Sequence, residues 1–188
     1  MNTEKQTYRY SKGASILGNL NYEYQLSQEE YYKIYSFYVT YSMCGSQSAK
    51  KRSFAFYGWD SDNIKATALG EALFTVLSLN RNPAFVFTDR DVLAAQFDAL
   101  DLTDGELENV DCERAVIGKT SESNNYLRLF YRIRDGFAHG KYLLRFSSNR
   151  ERMVIIQDDD RYNVTARIVL KLSTLLKFIE VIDTNSVI

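Results

Sequence analysis

The sequence predicts an all-α protein, roughly a four-to-five-helix bundle with a small β-hairpin inserted before the last helix. Three observations point there. Apolar residues recur at helical intervals behind recognisable caps, as with Tyr31, Ile34, Tyr35, Tyr38 and Tyr41 after Ser27 and Glu30. Only two short strand-like runs stand out, Tyr142 to Phe146 and Met153 to Gln157, and they are neighbours. The stretch Thr165 to Ile182 is apolar on all but one narrow stripe, as a helix buried on more than one side would be.

In chain order, residues 1–26 are rich in Tyr and Asn and suggest an extended arm on the surface of a single domain spanning 1–188. Ser27 and Glu30 have capping-box spacing and open a helix to about Cys44, which Gly45 ends. The loop Ser46 to Asp60 carries Lys50, Lys51 and Arg52, then Phe54, Phe56, Tyr57 and Trp59, aromatics that suit core packing better than a clamp on a single strand. Ser61 caps a second helix through Leu79. Asn80 to Phe87 holds the single proline and is expected to turn. Thr88 with Asp91 starts a third helix, Asp89 to about Leu100, burying Val92, Leu93 and Phe97. Asp101 to Glu122 is polar and ambiguous, with room for a short helix. Ser123 to His139 is the clearest helix, and Gly140 marks its end. The hairpin follows, turning at Ser147 to Arg152. The final helix, Thr165 to Ile182, has Arg167, Lys171, Thr174 and Lys177 as its polar stripe.

Composition excludes several classes. With 188 residues, 45% hydrophobic and 25% charged, the chain can bury its own core without metal staples or disulfides. The start MNTEKQTYRYSKG lacks an apolar signal core, and no run approaches the ~18 apolar residues of a membrane span, so a soluble, cytoplasmic protein is expected. Cys44 and Cys112 are then expected to be reduced and partly buried. One histidine and two cysteines leave a zinc site without ligands unless carboxylates are borrowed, so neither a metal nor another cofactor is expected. A net charge of −1 argues against a uniformly basic nucleic-acid coat. Between Tyr126 and Met153, however, seven basic residues face two acids. That is either a solvated helix face with a charged turn or a phosphate-facing surface.

Common catalytic motifs fail on inspection. Gly118-Lys119-Thr120 ends like a P-loop, but Glu113 occupies the place of its first glycine. There is no nucleophile elbow, dinucleotide fingerprint or zincin motif. Asp158-Asp159-Asp160 reads as a solvated turn rather than a cation site.

What remains is the end of the helix at 123–139. At 100° per residue Tyr126, Phe130, Ile133 and Phe137 fall within about 60° of one another and define a core side. Arg128, Arg132, Asp135 and His139 share the opposite side, with Arg134 between the two. Gly136 is costly inside a helix and suggests that a partner backbone or ligand comes close. His139, the one imidazole, sits at the negative end of the helix dipole and one turn after Asp135, both of which favour positive charge there. A histidine before a glycine cap can equally do no more than stabilise the helix end.

Ile133-Arg134-Asp135-Gly136-Phe137-Ala138-His139-Gly140 is an I-R-(N/D)-x-x-A-H-G pattern. It resembles the R-x4-H signature of the HEPN superfamily, and in its context from Arg134 to Asp183 it is similar to HEPN proteins of bacterial plasmids and mobile elements. The first hundred or so residues match only as generic helices. The resemblance implies an all-α bundle forming a homodimer in which two motifs face one cleft, often a metal-independent endoribonuclease. It makes Arg134 and His139 the catalytic pair. Asp135 takes the polar position usually held by Asn, and its carboxylate must turn toward His139 to spare a scissile phosphate. In one toxin subgroup a tyrosine stands two places after the histidine; Lys141 stands there here, with Tyr142 one later.

The chemistry fits these residue types. A guanidinium fork at Arg134 suits the non-bridging oxygens of a phosphorane, and His139 suits proton transfer. With one histidine per chain, separate imidazole acid and base require two subunits. Arg128, Arg132 and Lys141 are candidates to hold flanking phosphates. The expected function is thus RNA cleavage by a toxin or defence effector, with an antitoxin protein as a possible partner. The competing expectations are a non-catalytic dimer that binds RNA or nucleotide, or regulates a partner, and a purely structural helix cap.

Overall fold

The structure is a computed structural model that describes residues 22–40, 84–103, 109–119, 125–160 and 163–184. The helix expected from Ser61 to Leu79, the basic and aromatic loop from Ser46 to Asp60, and Cys44 lie outside these residues.

Helix α1 (Gln28–Tyr35) starts as its cap dictates: the Glu30 amide donates to Ser27 Oγ at 3.2 Å and the Ser27 amide to Glu30 Oε2 at 2.9 Å. It passes into a π turn, Ser36–Thr40, that buries Phe37 and Tyr38. Strand β1 (Phe85–Thr88) leads through a 3-10 turn, Arg90–Val92, into α2 (Leu93–Ala99). Strand β2 (Arg114–Gly118) precedes α3 (Asn125–Ala138), followed by β3 (Tyr142–Phe146), β4 (Arg152–Asp160), β5 (Asn163–Lys171) and α4 (Leu172–Thr184).

The expected all-α bundle is therefore wrong. The five strands form one mixed sheet in the order β1-β2-β5-β4-β3, with β1 and β2 parallel and every other pair antiparallel. The expected hairpin is real, pairing Tyr142 with Ile156 and Phe146 with Arg152, but it is one side of this sheet rather than an insertion. The supposed final helix is strand β5 followed by α4; of the supposed turn Asn80 to Phe87, Phe85 to Phe87 belong to strand β1, and residues 80–83 lie outside the described residues.

The physical reason lies in β5. It runs between β2 and β4 with both faces covered, so Val164 to Leu170 are all buried. A strand buried on both faces loses the alternation that reveals a strand and reads as a continuous apolar run, like a buried helix. Arg167 completed the false stripe. It is in fact fully buried, donating to the Leu102 carbonyl with its guanidinium 5.3 Å from the Phe97 ring centroid.

One sheet face, with Ala115, Ile117, Val154, Ile156, Ile168 and Leu170, packs under α1, α3 and α4. The other, with Val116, Leu143, Ile155 and Val169, packs against Leu93 and Phe97 of α2, Leu102 and Val110. Residues 22–26 are the described part of the expected arm. They lie on β3, where the Glu23 amide donates to the Leu144 carbonyl at 2.9 Å and the Glu23 carboxylate accepts from Arg145 and the Phe146 amide.

Gly136 sets how closely α3 approaches the sheet. A Cβ built there would lie 2.2 Å from Ile156 Cγ2. What comes close is neither a partner backbone nor a ligand but the Ile156 side chain of the chain's own strand β4. Gly136→Ala is expected to push α3 off the sheet at a cost of about 1–3 kcal/mol, lowering the melting temperature by roughly 2–12 °C. Thermal denaturation checks this, and adding Ile156→Ala should make the pair cost less than the sum of the two single changes.

Candidate functional site

The R-x4-H segment occupies the last turn of α3. Gly140, at φ 65°, takes the left-handed conformation that ends the helix. Its amide donates to the Phe137 carbonyl at 3.3 Å and the Lys141 amide to the Gly136 carbonyl at 2.7 Å, the two bonds of a Schellman cap. His139 is the cap residue. Its amide donates to the Asp135 carbonyl at 3.0 Å and its side chain is exposed.

The solvent-facing stripe of α3 differs from the one expected. Tyr131, Arg134, Asp135 and Ala138 are the partly exposed positions of the helix's second half, spaced as one face. Phe130 and Phe137 pack on the aromatic rings of α1 and its π turn, while Leu129, Ile133 and Gly136 belong to the buried part of the helix. Burial therefore extends around α3 into the face expected to be polar.

Arg128 and Arg132 accordingly do not project into solvent as phosphate-holding residues. Both are buried. Arg128 donates to Asn125 Oδ1 at 3.0 Å. Arg132 pairs with Asp158 at the far end of β4, and Thr165 Oγ1 donates to the same carboxylate oxygen at 3.1 Å. Burial pushes the Asp158 carboxyl above its usual range, while Arg132 and the Thr165 hydroxyl pull it back and Asp135 adds repulsion. Lys141, the third candidate for a flanking phosphate, is half-buried and pairs with Asp159.

The run Asp158-Asp159-Asp160 is thus no solvated turn. It is the end of a strand, with a bulge between Asp158 and Asp159, and each acid meets a cation from a different element: Arg132 of α3, Lys141 after α3, and Arg90 of the 3-10 turn at 2.7 Å. Among the described residues no three His, Cys, Asp or Glu side chains cluster as a metal site.

Arg134 and Asp135 remain within reach of solvent, their side chains 24% and 25% exposed, and they pair with each other. Asp135 was expected to turn toward His139. Its carboxylate accepts from Arg134 instead, and among the described residues no hydrogen bond or ion pair joins either side chain to the imidazole.

A tyrosine group that was not legible in the sequence lies beside this helix end. Tyr35 Oη lies 3.4 Å from the Phe137 carbonyl and 3.3 Å from Tyr142 Oη. Burial raises both phenols above their usual range, so both are protonated donors at neutral pH. The available signal was Tyr31 and Tyr35 one helical turn apart, which shows a shared face but not what lies against it.

Cys112, expected to be partly buried, is an exposed free thiol. No helix among the described residues is long and apolar enough to cross a membrane. Compared with known proteins, the chain matches no family model, no curated protein and no solved structure.

Proposed function

We propose that the chain is a metal-independent endoribonuclease, a toxin or defence effector, acting through Arg134 and His139 of two subunits. The observation that carries this reading is a partition along one helix. Of the candidate cations on α3, Arg128 and Arg132 are buried in the fold, whereas Arg134, its neighbour Asp135 and the exposed His139 stay in reach of a ligand. The resemblance to HEPN proteins is taken for this motif alone, on a scaffold with a five-stranded sheet.

In the proposed reaction the 2′-hydroxyl of RNA attacks its own phosphorus, a bond forms from O2′ to phosphorus, and the bond to the 5′-oxygen breaks. One His139 takes the proton from O2′, and the partner's His139 gives a proton to the departing 5′-oxygen. Arg134 exchanges Asp135 for the non-bridging oxygens as they gain charge. Lys141 lies near the same helix end, but it must first leave Asp159 to meet a phosphate.

The second reading is a non-catalytic RNA- or nucleotide-binding partner. The Arg134–Asp135 pair favours it, because a guanidinium already neutralised by its neighbour is a weaker electrophilic partner. Incubating the purified protein with structured and unstructured RNA in EDTA separates the two. Cleavage leaving 2′,3′-cyclic phosphate ends is expected; RNA that is bound and left intact would establish the binding module instead.

A further inference from the structure

We propose that Tyr31 and Tyr22 form a two-ring platform on which unpaired RNA bases stack beside the end of α3. The proposal deepens the nuclease reading, on which it rests for its ligand, by naming single-stranded RNA as the substrate class.

Tyr31 is stacked on Tyr35, with centroids 4.2 Å apart and planes 23° apart, yet stays 49% exposed. Tyr22 lies against Tyr142 at 5.8 Å and 30°, and is 40% exposed. Each outward ring is thus backed by a deeper tyrosine. The two backing hydroxyls are 3.3 Å apart, and Tyr142 packs on Phe137 of α3 at 4.6 Å between centroids. A ring occupied on its inner side and about half in water presents its outer side, and the backing fixes its orientation before a ligand arrives. Base stacking on such a ring needs no particular sequence, because every base has a flat face.

Charge favours a polyanion over an apolar peptide. Arg150 stands in the β3–β4 turn, with Arg145 on β3 and Arg152 at the start of β4 against Tyr24; Arg145 and Arg152 pair with Glu23 and Glu30. Arg150 is exposed, lies 5.5 Å from the Phe146 centroid, and touches no carboxylate among the described residues. Glu29 and Lys33 on α1 offset each other in charge. A duplex covers its base faces internally, so unpaired strands are the ligand that fits.

The test is fluorescence anisotropy with a short labelled single strand carrying 2′-O-methyl groups, which cannot be cut. Leucine at both positions (Tyr22→Leu with Tyr31→Leu) is expected to weaken binding about tenfold or more, while Tyr22→Phe with Tyr31→Phe binds as tightly as the unaltered protein. The salt dependence should not change, since no charge is removed. If the leucine variant does not fold, abasic sites in the strand replace it and are expected to weaken binding to the unaltered protein by a similar factor. Equal binding by the leucine and unaltered proteins, or indifference to abasic sites, overturns the platform. A protein that stacks the strand yet cuts no RNA leaves the platform standing and refutes the nuclease; one whose leucine variant cuts and binds unpaired RNA undiminished does the reverse.

Discussion

His139→Ala is expected to slow RNA cleavage by about 10²–10⁴-fold while leaving the melting temperature nearly unchanged. Both halves follow from where the residue sits. Its imidazole is exposed and makes no hydrogen bond to Arg134 or Asp135, while the Schellman cap is built from backbone groups of Gly136, Phe137, Gly140 and Lys141 that alanine at 139 leaves intact. A merely structural histidine would show the opposite pattern, with stability falling and rate preserved. Arg134→Ala is expected to cost about 10²–10³-fold, and Arg134→Lys most of that, since an ammonium lacks the planar fork. Mixed dimers carrying one His139 distinguish a shared site from two independent ones. A site needing two imidazoles makes them as slow as the homodimeric variant, whereas independent sites retain half the rate. Asp135→Asn is expected to tighten RNA binding, because it frees Arg134 from its carboxylate and removes a negative charge from the phosphate's path. Weaker binding by that variant, measured at fixed salt, would mean that Asp135 holds Arg134 in its working position.

The parts of this protein governed by local rules were legible from the sequence. Ser27 and Glu30 cap α1 as their spacing demands, Gly140 ends α3, and Tyr142 to Phe146 pairs with the run after Met153. What was illegible depends on tertiary neighbours. Strand β2 is buried along its whole length, and β5 is buried at all but its two end residues, so neither alternates, and β1 hides in a short segment after the proline. A helical wheel could show that Arg132 lies away from Phe130 and Phe137, but not that a carboxylate from β4 waits on that side. The same limit hid the role of the three aspartates. Without the sheet nothing in the sequence brings Arg132, Lys141 and Arg90 to one strand end, so a run of acids looked like surface. At the candidate site Arg134 and His139 were singled out by the resemblance of their motif, whereas the burial of Arg128 and Arg132 depends on neighbours that a helical wheel does not show.

Arg132→Met is expected to cost about 3–5 kcal/mol, more than any other single change considered. The methionine keeps much of the volume and leaves Asp158 buried without its cation. Thr165 remains as a hydroxyl donor, but a lone hydroxyl cannot balance a buried charge. The cost must therefore depend on pH. In the unaltered protein the Asp158 carboxyl is already raised by burial against the pull of Arg132, so the folded state holds this proton more tightly than the unfolded chain does. A raised carboxyl contributes no penalty below its unfolded value, near 4, and a growing one as pH rises through its folded value. Without Arg132 that folded value climbs further, so the gap in stability between Arg132→Met and the unaltered protein should widen from about pH 4 toward neutrality. Chemical denaturation at several pH values measures it. Asp158→Asn added to Arg132→Met removes the ionisable group, and the double variant should recover much of the loss and all of the extra pH dependence. A gap that stays constant with pH would mean that Arg132 stabilises α3 through its packed stem rather than its charge. In that case Asp158→Asn would rescue nothing.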